Sequence, residues 1–179
     1  MSRAIYKGQN FTLDEVPVEL NGKSTMFSRI KNKPVVIIIP IRKDGMLILE
    51  EQRRPIINKN LIELPAGHIE KGERPYRAAA RELEEETGYI SRKLERIYTS
   101  YPLPGTSTQQ DYYFIAQDLI KGRMHRDAHE QISLMEISLA QAMEMVLKNI
   151  IKDAKTSLGI LLLIERMNKF PKKFNKNNL

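Results

Sequence analysis

The sequence contains no cysteine. That absence excludes disulfides, thiolate metal sites and a cysteine nucleophile together. No run approaches the roughly 18 apolar residues that a membrane span requires. The first residues, Met1-Ser2-Arg3-Ala4-Ile5-Tyr6-Lys7, hold no apolar stretch of signal-peptide length, so a cytoplasmic location is expected. Internal repeats and low-complexity blocks are absent too. No basic surface interleaved with aromatics is legible, so a nucleic-acid partner is not expected.

The 179 residues suffice for one domain with a core and are too few for two comfortable ones. Apolar content of 41% and charged content of 28% are ordinary for a globular protein. The formal net charge is +7. Part of the excess, Lys169, Lys172, Lys173 and Lys176, sits at the C-terminus among Pro and Asn. That segment reads as a solvated tail, with an electrostatic patch as the alternative.

The pattern predicts strands first, then a helix, more strands and two helices. Val16, Val18 and Leu20 alternate with polar residues, Asn21-Gly22 supplies a turn, and Ser24 to Ile30 returns as a β-hairpin. Pro17 suggests an edge position or a bulge. Val35 to Ile41 is a β-branched run suited to a strand buried on both faces. Further strands are expected at Met46 to Glu51, Leu61 to Leu64, Leu94 to Tyr101, Tyr112 to Gln117 and Ile132 to Ile137. A helix is expected from Pro75 to Thr87, with Pro at its start and Gly88 just past its end. Ser138 and Gln141 spell a capping box for a second helix. The third runs from Ala154 to Lys169, with Leu158, Leu161, Leu162 and Met167 on its apolar face. This order suits a layered α/β or α+β plan rather than a regular βαβ series.

The helix at Pro75 ends in Arg81-Glu82-Leu83-Glu84-Glu85-Glu86. Glu82 and Glu86 share a face, with Glu85 beside them, and like charges so spaced repel. Three hard oxygen donors suit Mg²⁺ or Mn²⁺ and can hold more than one ion. Glu84 points elsewhere and is expected in solvent. On the helix alone, a merely solvated acidic face fits as well.

The flanks extend this pattern. Gly67 is followed by five residues, Glu73, seven residues, and then Arg81-Glu82-Leu83-Glu84-Glu85-Glu86-Thr87-Gly88-Tyr89. The segment resembles the Nudix box at every fixed position, departing only at Tyr89, where an aliphatic residue is usual. The resemblance implies a Nudix-type α/β/α sandwich with a mixed sheet, preceded here by the N-terminal β-hairpin. It implies one domain over residues 1–170, with N-terminal strands in 1–32, a core in 33–170 and a basic tail in 171–179. It also implies metal-dependent hydrolysis of a nucleoside diphosphate derivative. Glu82, Glu86 and Glu85 become the metal ligands, and Arg81 and Glu73 the groups that orient them. Glu85 and Arg81 are accordingly placed in the catalytic set.

Other stretches look like the ADP-ribose pyrophosphatase subfamily. Glu63-Leu64-Pro65-Ala66 precedes the box, Pro104-Gly105 follows it, and Pro104 stands fifteen residues beyond Tyr89. The Ala66 carbonyl then corresponds to a backbone metal ligand. Glu51-Gln52-Arg53-Arg54-Pro55 places Arg54 at the substrate diphosphate, and Asp153-Ala154-Lys155-Thr156 opens the last helix as in those enzymes. Glu130, in the loop His129-Glu130-Gln131, is the candidate for a further metal ligand or general base. His129 is either an assistant to it or idle. His68, Gln109 and Arg29 are candidate substrate contacts, whereas Tyr112 and Tyr113 read as strand and core residues. In that subfamily two chains build each site, so the resemblance implies a homodimer. Its implied substrate is ADP-ribose or a similar nucleoside diphosphate sugar. GDP-mannose or a dinucleoside polyphosphate is the alternative within the fold. A non-catalytic RNA- or nucleotide-binding module is the alternative outside catalysis, and three converging acids argue against it.

Overall fold

The computed structural model describes residues 3–9, 11–125 and 132–170. Strands β1 (Arg3–Lys7), β2 (Phe11–Leu20) and β3 (Lys23–Asn32) form an antiparallel sheet in that order. The β2–β3 turn is Asn21-Gly22, with φ of 51° and 74°. Two successive positive φ angles match the right-handed twist of a hairpin, which Asn-Gly supplies at low steric cost. The expected hairpin is thus one strand short: β1 was not anticipated. Pro17 pairs with Met26 on one side only, because β1 reaches no further along β2 than Glu15.

The core centres on β4 (Val35–Pro40), which is buried along its whole length. It lies in a sheet ordered β7 (Ala66–His68), β4, β9 (Asp111–Lys121), β8 (Tyr89–Ser100). β4 and β9 run parallel, and the outer pairs are antiparallel. Successive side chains on a strand face opposite ways, and β4 uses both. Val36 and Ile38 pack against Ala78, Ala79 and Leu83 of helix α1 (Pro75–Thr87). Ile37 and Ile39 join a second core with Leu49, Leu64, Ile160 and Leu163. Each such aliphatic side chain contributes on the order of 1.5–3 kcal/mol on burial.

That second core is covered by β10 (Ile132–Ser138), β5 (Met46–Arg54) and β6 (Lys59–Glu63), paired in this order. Helices α2 (Leu139–Leu147) and α3 (Ala154–Lys169) complete the layer. The result is the α/β/α arrangement with a mixed sheet. Ser138 and Gln141 form the expected capping box, and Gly88 closes α1 with φ 70°. On α3 the buried face is Thr156, Gly159, Ile160, Leu163 and Met167. Leu161 is not on it. One residue past Ile160 is a turn of about 100° around the helix axis, and Leu161 stands 43% exposed.

The N-terminal sheet is stitched to the loop after β8. The Ile30 N–H donates to the Thr106 carbonyl at 2.8 Å, and the Thr108 N–H donates back to Ile30 at 3.0 Å. Asn32 Nδ2 donates to Gln109 Oε1 at 3.3 Å, which ties β3 to a residue of the cleft described next. Among the described residues no helix is long and apolar enough to cross a membrane.

Candidate active site

A cleft of about 670 Å³ opens where β5, β7 and α1 converge. Ala66, Gly67, His68, Arg81, Glu82, Glu85 and Glu86 line it. So do Gln52, Arg54, Gln109 and Lys155. The structure therefore brings together every described candidate except Arg29. That residue closes instead on Asp14 within the N-terminal sheet, Nε to Oδ1 at 3.0 Å and Nη2 to Oδ2 at 2.7 Å. The pairing holds the Asp14 carboxyl below the usual range. Glu130 and His129 lie outside the described residues, as do Lys172, Lys173 and Lys176.

Arg81 organises the acidic side. Its Nη1 donates to Glu82 Oε1 at 2.8 Å and to Glu85 Oε2 at 2.9 Å. Its Nε and Nη2 clasp Glu73 at 3.1 and 3.0 Å, and Nη2 also reaches the His68 carbonyl at 3.0 Å. Glu73, foremost, together with Glu82 and Glu85, pushes the Arg81 pKa well above its ordinary value. Arg81 in turn holds the Glu73 carboxyl below the ordinary carboxylate range. Glu86 is 4% exposed and accepts from the Ala66 N–H at 2.9 Å. That bond sets the short strand β7 against the C-terminal end of α1.

Glu84 departs from expectation. It is half-buried rather than solvated, and its Oε1 accepts from the Arg123 N–H at 3.2 Å. Tyr113 is a core residue, as expected, and burial raises its pKa to about 12.

The acids sit at the wrong end of α1 for its dipole. A helix C-terminus carries partial negative charge and favours cations, yet the last turn of α1 has no basic residue. Among the described residues no three His, Asp or Glu side chains already converge as a metal cage, and Arg81 bridges two of the acids. The donor set nevertheless fits a hard divalent ion: three carboxylates and the adjacent Ala66 carbonyl are all oxygen. Gly67 adds room. A Cβ there would fall within 3.0 Å of every atom of the Glu82 carboxylate.

A family model described as NUDIX domain matches residues 31–158. The chain belongs to the Nudix family. It is 35% identical over 162 residues to an ADP-ribose pyrophosphatase of Bacillus subtilis (strain 168), covering 89% of this chain and 88% of that one. A methanol dehydrogenase activator of Bacillus methanolicus is 32% identical over the same shares. A solved structure of an ADP compounds hydrolase superposes with a TM-score of 0.82 at 25% identity, covering 94% of this chain and 92% of that one. The α/β Nudix fold and the pyrophosphatase class are thereby as expected: this is a Nudix pyrophosphatase.

The same cleft holds a basic group that sequence reasoning named only in part. Arg54 was anticipated. Glu63, which grips it, and Lys155 appeared only inside resembling stretches, and Gln52 and His125 of the cleft were not singled out. Gln52 could have been found, since it lies two residues from Arg54 on one strand and therefore on the same face. Lys155 could not, because 92 residues separate it from Glu63. Burial alone would raise the Glu63 pKa, but hydrogen bonds and charge from Arg54 and Lys155 outweigh it, and the net direction is down. His68 is held below its usual value by burial and by Lys33, which favours the neutral imidazole.

Proposed function

We propose that this Nudix pyrophosphatase hydrolyses the diphosphate linkage of ADP-ribose, or of a related nucleoside diphosphate sugar, to a nucleoside monophosphate and a sugar phosphate. The observation that carries the reading is one cleft lined both by Glu82, Glu85 and Glu86 of α1 and by Arg54 and Lys155. A diphosphate held in that cleft meets cations directly, from Arg54 and Lys155, and through metal held by the acids.

Glu82, Glu85, Glu86 and the Ala66 carbonyl would hold the ions, Mg²⁺ or Mn²⁺ and more than one. Such ions neutralise the diphosphate, polarise phosphorus and lower the pKa of bound water. The chain's own contribution is positioning and electrostatics. Arg54 orients the diphosphate through a planar fork suited to phosphate. Arg81 and Glu73 keep the carboxylates in place. Gln109 and His68 face the sugar side. Glu130 is the candidate general base. The reading places the enzyme in the cytoplasm as a homodimer. Exposed Ile5, Tyr6, Phe11, Met26 and Phe27 of the N-terminal sheet are apolar surface that a second subunit would cover.

The test is a panel of ADP-ribose, GDP-mannose, dinucleoside polyphosphates and nucleoside triphosphates, with each phosphate product identified. GDP-mannose belongs in it because a GDP-mannose pyrophosphatase of Cronobacter sakazakii is 29% identical over 143 residues, 76% of this chain and 74% of that one. AMP and ribose phosphate released fastest from ADP-ribose support the reading. No product from any diphosphate sugar would defeat it.

A further inference from the structure

Glu63 ends β6 and is 1% exposed. Its Oε1 accepts from Arg54 Nε at 2.7 Å, and its Oε2 from Arg54 Nη2 at 2.7 Å and from Lys155 Nζ at 2.6 Å. The two cations stay part-exposed, Arg54 at 38% and Lys155 at 22%, and both line the cleft. One buried anion thus holds two cations at the surface of the substrate cleft.

Stability does not explain this arrangement. Buried ion pairs are often no better than apolar residues of the same size, because desolvation offsets their attraction. Nor does the Glu63 contact exhaust the donors. It occupies the Nε–Nη2 edge of the guanidinium and leaves the Nη1 group for a ligand. Lys155 divides its ammonium between Glu63 and Asp153 Oδ1, the latter at 2.8 Å, and a further N–H remains. Long cationic side chains lose much rotamer freedom when they close on an anion. Held in advance, they lose less when phosphate arrives.

Lys155 is fixed from a second direction. Asp153 caps α3 by accepting from the Thr156 N–H at 2.9 Å, and Thr156 Oγ1 accepts from the Leu64 N–H at 2.8 Å. The start of α3 is therefore bonded to the residue after Glu63. β5, β6 and α3 each deliver a member of the same cluster.

We propose that Glu63 is a positioning residue for the diphosphate: it fixes Arg54 and Lys155 as a paired cationic clamp, with Lys155 the second direct phosphate contact. The inference rests on the diphosphate reading above and adds these two residues to it. Glu63 touches no substrate.

The test uses inorganic pyrophosphate binding with Mg²⁺ by calorimetry, alongside ADP-ribose kinetics, on Glu63→Gln, Lys155→Met and the double variant. Each single change weakens pyrophosphate and raises KM by about tenfold, with kcat reduced less and Mn²⁺ affinity unchanged. The double variant loses less than the two single losses combined, because both act through one clamp. Should Glu63→Gln fail to fold, Glu63→Asp keeps the charge, shortens the reach and carries the same expectation. Pyrophosphate affinity within about twofold of the parent in the folded variants, or losses that add in full, would overturn the clamp. A clamp confirmed by pyrophosphate in a protein that leaves ADP-ribose intact would sink the substrate reading alone.

Discussion

Gly67 and Glu82 are in such close approach that no side chain fits between them. A Cβ on residue 67 would overlap the Glu82 carboxylate, which Arg81 holds at 2.8 Å from the other direction. Gly67→Ala must therefore move the carboxylate. The displaced group is the end of a flexible side chain, so the fold survives. Misplacement by an ångström at a reacting centre costs on the order of 10²-fold, and Gly67→Ala should lose about that much kcat/KM with a normal circular dichroism spectrum. Activity within a few-fold of the parent would show that the position of Glu82 is not critical.

Arg81 bonds three carboxylates and one carbonyl. Arg81→Met leaves Glu82 and Glu85 without the cation that bridges them, toward the dipole-disfavoured end of α1. Groups that orient metal ligands typically contribute about 10–100-fold to metal affinity or activity, and a loss in that range is expected. The melting temperature in EDTA should fall. Saturating Mn²⁺ should restore more of it in the variant than it adds to the parent, since the ion then supplies the missing positive charge. An equal Mn²⁺ shift in both proteins would contradict the metal-ligand assignment.

Thr156 is fully buried and accepts from the Leu64 N–H at 2.8 Å. Thr156→Val keeps the shape and removes the acceptor. A buried donor left unsatisfied costs about 1–3 kcal/mol, which urea denaturation will register as a lower midpoint at constant slope. An unchanged midpoint would mean that the Leu64 amide finds another partner.

Asp111 is 2% exposed, and its pKa is raised. Burial is the largest cause, opposed by a hydrogen bond from Gln109 Nε2 at 2.8 Å and by the charge of Lys155. A carboxyl whose folded pKa is raised contributes stability that is fully present below its unfolded value, near 3.8, and is lost as pH rises through the folded value. At pH 7 the ionised group is thus a burden. Asp111→Asn should stabilise the protein at pH 7, and the gain should shrink on acidification toward pH 4. A destabilised variant at pH 7 would show that the ionised form is the better fit.

Where residue chemistry decided the backbone locally, the sequence was legible. Pro75 and Gly88 bracket α1 at both ends, Asn21-Gly22 makes its turn, and β4 is buried on both faces as a β-branched run should be. Three strands were missed or shortened for a shared reason. β1 is exposed at every residue, β7 has three residues including Gly67, and the first half of β8 runs through polar Ser91-Arg92-Lys93. Such strands are held by backbone pairing to a neighbour, which leaves no hydrophobic period to read. The acidic half of the cleft was visible because one helix carries it. Of the basic residues only Arg54 was, because β5, β6 and α3 meet there only in the folded chain.

The central claim is that the acids of α1 act by holding divalent ions against a diphosphate. Its most direct test measures AMP release from ADP-ribose with Mg²⁺, together with Mn²⁺ affinity, in the parent, Glu82→Gln and Glu86→Gln. A glutamine at residue 86 can still accept from the Ala66 N–H, so that contact is retained. The account predicts AMP from the parent only with the ion, turnover abolished in both variants, weakened Mn²⁺ binding and an unimpaired melting temperature in EDTA. Near-parent turnover in either variant, or full loss of turnover at unchanged Mn²⁺ affinity, would contradict it.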